Sequence, residues 1–266
     1  MGVAGGTAPI GSFAALGDSF TEGLDDPRPG GGYRGWADRF ADILAERDAG
    51  LRYANLAVRG KTLGEVVTEQ LPAAIAMAPE LVAIAAGGND LLRPGADPDV
   101  LAEVFDGAVA RLREAGCQVL VLTGFDPRTF PVIRWIRGKV AVYNMHLRAI
   151  ADRRDCPVVD LWSMPVLCDR RVWSDDRLHL TAEGHRRVAL RACEAVGVVS
   201  EADWREPLAS HGGAGLPVMT GWLAARQVDA RWARRHAMPW VQRRIWGVSS
   251  GDDVPPKRPD LLPVDG

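Results

Sequence analysis

Ser12-Phe13-Ala14-Ala15-Leu16 runs without a break into Gly17-Asp18-Ser19. A short apolar run that suits a buried strand ends in a glycine, an aspartate and a hydroxyl, the chemistry of a tight strand-to-helix turn. Working outward, further apolar, β-leaning runs recur at 52–57, 81–85, 118–122 and 158–160. Between them the spacing predicts helices over 35–47, 62–77, 98–115 and 139–153, with a last one over 181–196. Thr181 suits its N-cap, with Glu183 in the first turn. Strands alternating with helices read as βαβ units, which predicts an α/β fold with a parallel five-stranded sheet covered on both faces. Right-handed crossovers place every strand's carboxyl end on one edge. In such sheets the ligand crevice forms at that edge.

Composition narrows the classes. A chain of 266 residues holds one large domain, with or without an appendage, and can bury its core without disulfides or metals. A net charge of −2 gives no global pull toward nucleic acid or an anionic membrane. Lys61, Lys139 and Lys257 are the only lysines; the arginine bias alone is not a phosphate-binding signal. Cys117, Cys156, Cys168 and Cys193 are irregularly spaced and suit buried thiols better than a disulfide or zinc site. The N-terminus lacks the charged and apolar regions of a secretory signal, and no apolar run reaches membrane-span length. A soluble, cytoplasmic protein is expected.

The chemistry lies in motifs that follow the strands. Ser19 comes directly after the first, Gly60 after the second, Asn89 after the third, and Asp176 and His179 precede the last helix. All therefore fall on one rim. A serine hydroxyl becomes a nucleophile only when a base takes its proton. In isolation Gly17-Asp18-Ser19 also fits a simple helix cap, with Asp18 satisfying turn N–H groups. Gly60 lacks a Cβ, so its N–H can approach a ligand oxygen closely. Asn89, in Gly87-Gly88-Asn89-Asp90, offers an amide donor to developing negative charge, and equally suits an N-cap. Asp176-Arg177-Leu178-His179 supplies a base and, three residues earlier, a carboxylate to fix its tautomer; Asp175 is an alternative partner.

These blocks together resemble the SGNH (GDSL-type) hydrolase family. Gly-Asp-Ser-Phe-Thr-Glu-Gly at 17–23, Asn-Leu-Ala-Val-Arg-Gly at 55–60, Gly-Gly-Asn-Asp at 87–90 and Asp-Arg-Leu-His at 176–179 match its blocks in order. The resemblance implies a flavodoxin-like three-layer α/β/α sandwich and hydrolysis of esters or thioesters with no metal or cofactor. It implies Ser19 as nucleophile, His179 as general base and then acid, and Asp176 as its orienting carboxylate. The Ser19 and Gly60 N–H groups and the Asn89 side chain are the implied oxyanion hole. The family spans lipases, lysophospholipases, thioesterases and carbohydrate deacetylases, so substrate is not settled by fold.

The resemblance covers residues 1–199. Residues 200–248 are expected to form a helical extension packed on the core, rich in Trp (Trp204, Trp222, Trp232, Trp240, Trp246) and Arg. Residues 249–266, with Pro255, Pro256, Pro259 and Pro263, are expected to be a disordered or extended tail. Gly30, Gly32 and Gly35 match a dinucleotide fingerprint, but Asp25-Asp26-Pro27-Arg28-Pro29 before them is no strand; a rim loop is expected instead. Apolar rim loops carrying Phe125 and Trp135, and Trp162 and Trp173, are candidate substrate walls. The sequence thus points to a serine esterase for a small-molecule ester of small or medium acyl group. The rivals are a sugar O-acetyl esterase, a thioesterase, and a non-catalytic binding module on the same scaffold.

Overall fold

Every residue of β1 (Ser12–Gly17) is buried, as expected of a strand with neighbours on both sides and helices on both faces. The computed structural model describes residues 10–130, 133–209 and 251–264. The other strands are β2 (Arg52–Asn55), β3 (Leu81–Ala85), β4 (Gln118–Leu122), β5 (Val158–Val159) and β6 (Arg258–Pro263). Their order across the sheet is β5-β4-β3-β1-β2-β6. The first five strands are parallel, and the order reverses between β1 and β3, the flavodoxin-like arrangement.

The helices are α1 (Ser19–Glu22), α2 (Gly35–Ala45), α3 (Leu63–Glu65), α4 (Leu71–Met77), α5 (Gly88–Leu91), α6 (Pro98–Glu114), α7 (Arg137–Arg153) and α8 (Ala182–Ala195). Helix α2 packs on α8 in one layer, and α3, α4 and α7 pack on α6 in the other. The sequence expected one helix over 62–77. Instead a π-helical turn, Val66–Gln70, joins α3 to α4. Gln70 lies at its end, where its buried amide accepts from the Gly17 N–H and donates to the Gly17 carbonyl, both at 2.9 Å. Asn144 makes the same pair of bonds with Gly124, at 2.7 and 2.8 Å. Asn55 donates to the Thr21 carbonyl and accepts from the Ala57 N–H. Where β1, β2 and β4 end, a buried carboxamide thus completes backbone groups that the ladder no longer pairs.

The C-terminus departs from expectation. The sheet has a sixth strand rather than five, and the tail expected to be disordered or extended pairs antiparallel with β2 along its edge. Proline conceals it in the sequence. Pro259 and Pro263 lack an N–H, which a central strand cannot accommodate but an edge strand can. Trp204 packs on α8, with its indole N–H on Glu194 and the Arg205 guanidinium 4.2 Å from its ring centroid. Of the expected helical extension, residues 200–209 form turns and irregular chain, and residues 210–248, with Trp222, Trp232, Trp240 and Trp246, lie outside the described residues.

Gly35 of the fingerprint-like stretch has a packing role. Gly23 and Gly35 meet backbone to backbone: a Cβ on Gly23 would lie 2.4 Å from the Gly35 Cα, and Gly23 has φ 94°. Gly23→Ala is therefore expected to cost about 2 kcal/mol or more, from left-handed strain and overpacking. Gly107→Ala, in the open middle of α6, is expected to gain up to about 1 kcal/mol. Urea denaturation of the two variants beside wild type checks both signs.

Candidate active site

The reversal between β1 and β3 opens a crevice at their carboxyl ends. Ser19 enters it from β1 as the first residue of α1. The N-cap is Asp18, whose carboxylate accepts from the Phe20 N–H at 3.0 Å. Ser19 is thus not the cap, and its hydroxyl is left for other partners. The His179 Nε2 stands 2.9 Å from Ser19 Oγ, and its Nδ1 stands 2.5 Å from Asp176 Oδ2. The other Asp176 oxygen accepts from the N–H groups of Leu178 and His179, at 2.9 and 3.0 Å, and lies 2.6 Å from Ser174 Oγ. Arg177 takes a left-handed conformation, φ 60°, at this turn, a strained geometry for a residue with a Cβ.

Asp175 is exposed, and the carboxylate on His179 is that of Asp176. A second carboxylate, which sequence reasoning missed, is Asp25. Its Oδ2 lies 2.6 Å from Ser174 Oγ and 3.9 Å from His179 Nδ1. Asp25 opens the proline- and glycine-rich stretch expected to form a rim loop, and no spacing rule connects it to a histidine far away in the chain.

Around Ser19 the donors converge. Its own N–H begins a helix and has no acceptor within it. Gly60 turns at φ 77° and lines the same cavity. The Asn89 amide donates to the Lys61 carbonyl at 3.0 Å and to Asp18 Oδ2 at 3.1 Å. The first bond fixes the amide on the Gly60 loop. Asp90 ties the two loops again by accepting from the Leu63 N–H at 2.9 Å. Glu22, at the end of α1, accepts from the Arg59 N–H at 2.7 Å and pairs with its guanidinium. The Ser19 turn, the Gly60 loop and the Asn89 loop are thus cross-linked.

Residues 15–187 match the GDSL-like Lipase/Acylhydrolase family. The chain belongs to that family. Membership makes it an ester-hydrolysing enzyme, and the matched span contains every block on the rim. No curated protein matches the chain. Among solved structures it is similar to LAE5, an α/β hydrolase from the metagenome of Lake Arreo, at 21% identity and a TM-score of 0.61, covering 75% of this chain and 100% of that one. TesA follows at 22% and 0.58, over 70% and 99%. A variant of Axe2, an acetyl xylan esterase from Geobacillus stearothermophilus, gives 18% and 0.61, over 72% and 97%. At these identities the likeness is one of fold.

The acylhydrolase cavity has a volume of about 1100 Å³ and is lined by Ser19, Gly60, Asn89, Asp176 and His179 at one end. Leu91, Leu92, Leu122, Ile136 and Val140 form an apolar wall, joined by Phe125. From the rim loop expected to carry Phe125 and Trp135, Phe125, Ile133 and Ile136 reach the cavity, whereas Trp135, Trp162 and Trp173 do not. Trp173 is buried behind it, tilted against Phe125 and edge-on to Phe130, with its indole N–H on the Leu167 carbonyl. Trp162 lies against the Arg137 guanidinium. Trp135 is 60% exposed and lies outside the wall. The leucines were missed although Leu91-Leu92 directly follows Gly88-Asn89-Asp90. Residues 27–34 form a small looped hairpin that does not line the cavity. Among the described residues no helix is long and apolar enough to cross a membrane.

Other histidines have other roles. His146 is exposed and pairs with Asp99 at 2.7 Å. His185 is buried, accepts from the Trp36 N–H at 3.1 Å and reaches the Leu24 carbonyl through Nε2; burial pushes its pKa down to about 4, so it stays neutral.

Burial opposes charge on His179, but the hydrogen bond and charge of Asp176 outweigh it, with help from Asp25 and Asp18, and hold its pKa above the ordinary 6.5. Burial likewise opposes charge on Asp176, and His179 overrides it, keeping that carboxyl well below the usual range. Only neutral His179 can accept a proton. The rate constant kcat/KM is therefore expected to fall as pH drops, with a limb midpoint above about 6.5. In Asp176→Asn the burial effect is left and the midpoint should move down, alongside a large loss of kcat. A pH–rate profile of both proteins checks the direction; an upward shift in the variant contradicts this account.

Proposed function

We propose that this protein is a serine esterase that cleaves carboxylic esters of small or medium acyl groups through an acyl-enzyme. The observation that carries the reading is His179, in hydrogen-bond reach of both Ser19 and Asp176 in a cavity that also holds the apolar wall.

Asp176 accepts the Nδ1–H of His179, which leaves Nε2 unprotonated and facing Ser19. Ser19 Oγ attacks the acyl carbon as Nε2 takes its proton. The negative charge on the former carbonyl oxygen is met by the N–H groups of Ser19 and Gly60 and by the Asn89 amide. The Asn89 N–H facing Asp18 is the one that reaches the oxyanion, in competition with that carboxylate. His179 then protonates the leaving alcohol as its bond to the acyl carbon breaks. A water gives His179 a proton, attacks the acyl-enzyme, and releases the acid as the proton returns to Ser19.

Fold cannot choose among the substrates of its relatives. The wall of Leu91, Leu92, Leu122, Phe125, Ile136 and Val140 supports an alkyl acyl group over a sugar, which would leave its hydroxyls without partners there.

p-Nitrophenyl esters from acetyl to long acyl chains test the reading. Turnover is expected to peak at short to medium length and to vanish in Ser19→Ala. Equal turnover in Ser19→Ala rejects the nucleophile. Leu92→Trp should move the preference toward acetyl; an unchanged profile means that the apolar wall is not the acyl site. Asn89→Ala is expected to lower kcat by about 100- to 1,000-fold with little change in KM.

A further inference from the structure

The C-terminal segment does more than close the sheet edge. Gly251 is buried against the Gly60 loop. A Cβ there would lie 2.0 Å from the Arg59 carbonyl oxygen and 2.9 Å from Val58 Cγ1. The next residue, Asp252, lines the catalytic cavity together with Arg59 and Gly60. Val254 N–H then returns to the Gly251 carbonyl at 3.2 Å, with Asp253 left-handed at φ 64°, so the segment turns sharply off the cavity.

Past that turn Lys257 drives its ammonium into the base of the nucleophile's own loop. It donates to the carbonyls of Glu22, Tyr33 and Arg34, the last two at 3.2 Å, and pairs with the buried Asp38 carboxylate. An ammonium has three donors and no acceptor, and here it is encircled by oxygens. Asp38, 2% exposed, also binds Arg28 at 2.9 Å. From Arg258 on, β6 fixes the segment to β2.

These contacts close a ring. Glu22 shares α1 with Ser19. Its side chain holds the Arg59 N–H, one residue before Gly60. Gly251 packs directly against the Arg59 carbonyl. Lys257, on the same strap as Gly251, grips the Glu22 carbonyl.

We propose that residues 251–257 are a strap that sets the position of the oxyanion loop, with Gly251 and Lys257 as positioning residues for ester hydrolysis. The strap presses the Arg59–Gly60 peptide toward Ser19, and Lys257 fixes both the strap and the end of α1 to one point. The inference rests on the esterase reading above, in which the Gly60 N–H meets the oxyanion.

Two variants of the full chain test it. Lys257→Met removes the anchor, and Gly251→Ala keeps the anchor but forces the strap off the Arg59 carbonyl. Each is expected to lower kcat at least about tenfold, short of the roughly 100-fold that loss of an oxyanion donor brings. KM should stay within about twofold. Affinity for an alkyl boronic acid, which becomes tetrahedral on Ser19, should fall in step with kcat. A role in stability alone would lower Tm and leave both readings near wild type, and that result in the folded Gly251→Ala protein overturns the proposal. Hydrogen exchange, read on the same proteins, does not depend on turnover. Amides of residues 58–61 should exchange faster in both variants while those of β3 and β4 do not change. Unaltered exchange at 58–61 also overturns the strap. Absence of Ser19-dependent turnover in wild type would instead reject the esterase reading, with the exchange result still deciding whether the strap holds the loop.

Discussion

The close approach of β1 to β3 governs the site. A Cβ on Gly17 would lie 2.4 Å from the Ala85 carbonyl oxygen, so at that position the chain admits glycine alone. The two strands leave the sheet side by side, and the next residues of each, Asp18-Ser19 and Gly87 to Asn89, face one another across the crevice. Gly87 repeats the requirement on the β3 side: a Cβ there would meet the Tyr143 hydroxyl at 2.7 Å. The helical start at Ser19 then follows from the Asp18 cap, and the free helix terminus provides an N–H beside the Ser19 hydroxyl.

Buried polar side chains keep these loop exits from drifting. Gln70, Asn55 and Asn144 each satisfy backbone groups at or near the end of a strand, and each is almost fully inaccessible to water. A buried amide has no cheap alternative partner, since leaving its groups unpaired costs about 1–3 kcal/mol each. The π-helical turn that ends at Gln70 fits this logic. One extra residue in the turn shifts the helix face, and Gln70 comes to lie opposite Gly17.

Much of this was legible in the sequence because it depends on local signals. Strand periodicity placed β1 to β4 within two residues of their ends, the largest difference being at β2, where the chain leaves the sheet after Asn55. The blocks carrying Ser19, Gly60, Asn89 and His179 announced their rim by following strands. What escaped was long-range. Asp25 and Ser174 meet only because α8 packs on α2 and carries its preceding loop across the rim. The apolar wall draws on α5 and α7, whose cavity-facing residues follow ordinary helical spacing. Three tryptophans of the rim loops were counted among the cavity wall because large apolar side chains read alike whether they line a pocket or pack behind one. Trp173 does the latter, since its indole N–H finds a buried carbonyl. β6 was hidden because the strand signal assumes two neighbours, whereas an edge strand tolerates Pro259, Asp260 and Pro263 and is shielded by them from further pairing.

The charge pattern of the rim gives these pieces a common consequence. Asp18, Asp25 and Asp176 all raise the basicity of His179, so the resting site favours a base that holds a proton firmly once taken. The same carboxylates oppose any negative charge that develops beside Ser19. Asp18 is the nearest of them to the Asn89 donor, and burial pushes its carboxyl up to about 6, which signals how poorly solvated its charge is. A side-chain donor alone would be drawn off by that carboxylate. Backbone N–H groups at Ser19 and Gly60 cannot turn away, because the helix start and the glycine turn fix their direction. The Gly60 loop is held at Arg59, whose N–H is bound by Glu22 and whose carbonyl packs against Gly251, so under the proposed mechanism its N–H keeps its direction on an acidic rim. The acid released at the end of the cycle ionises among these aspartates, and their repulsion favours its departure.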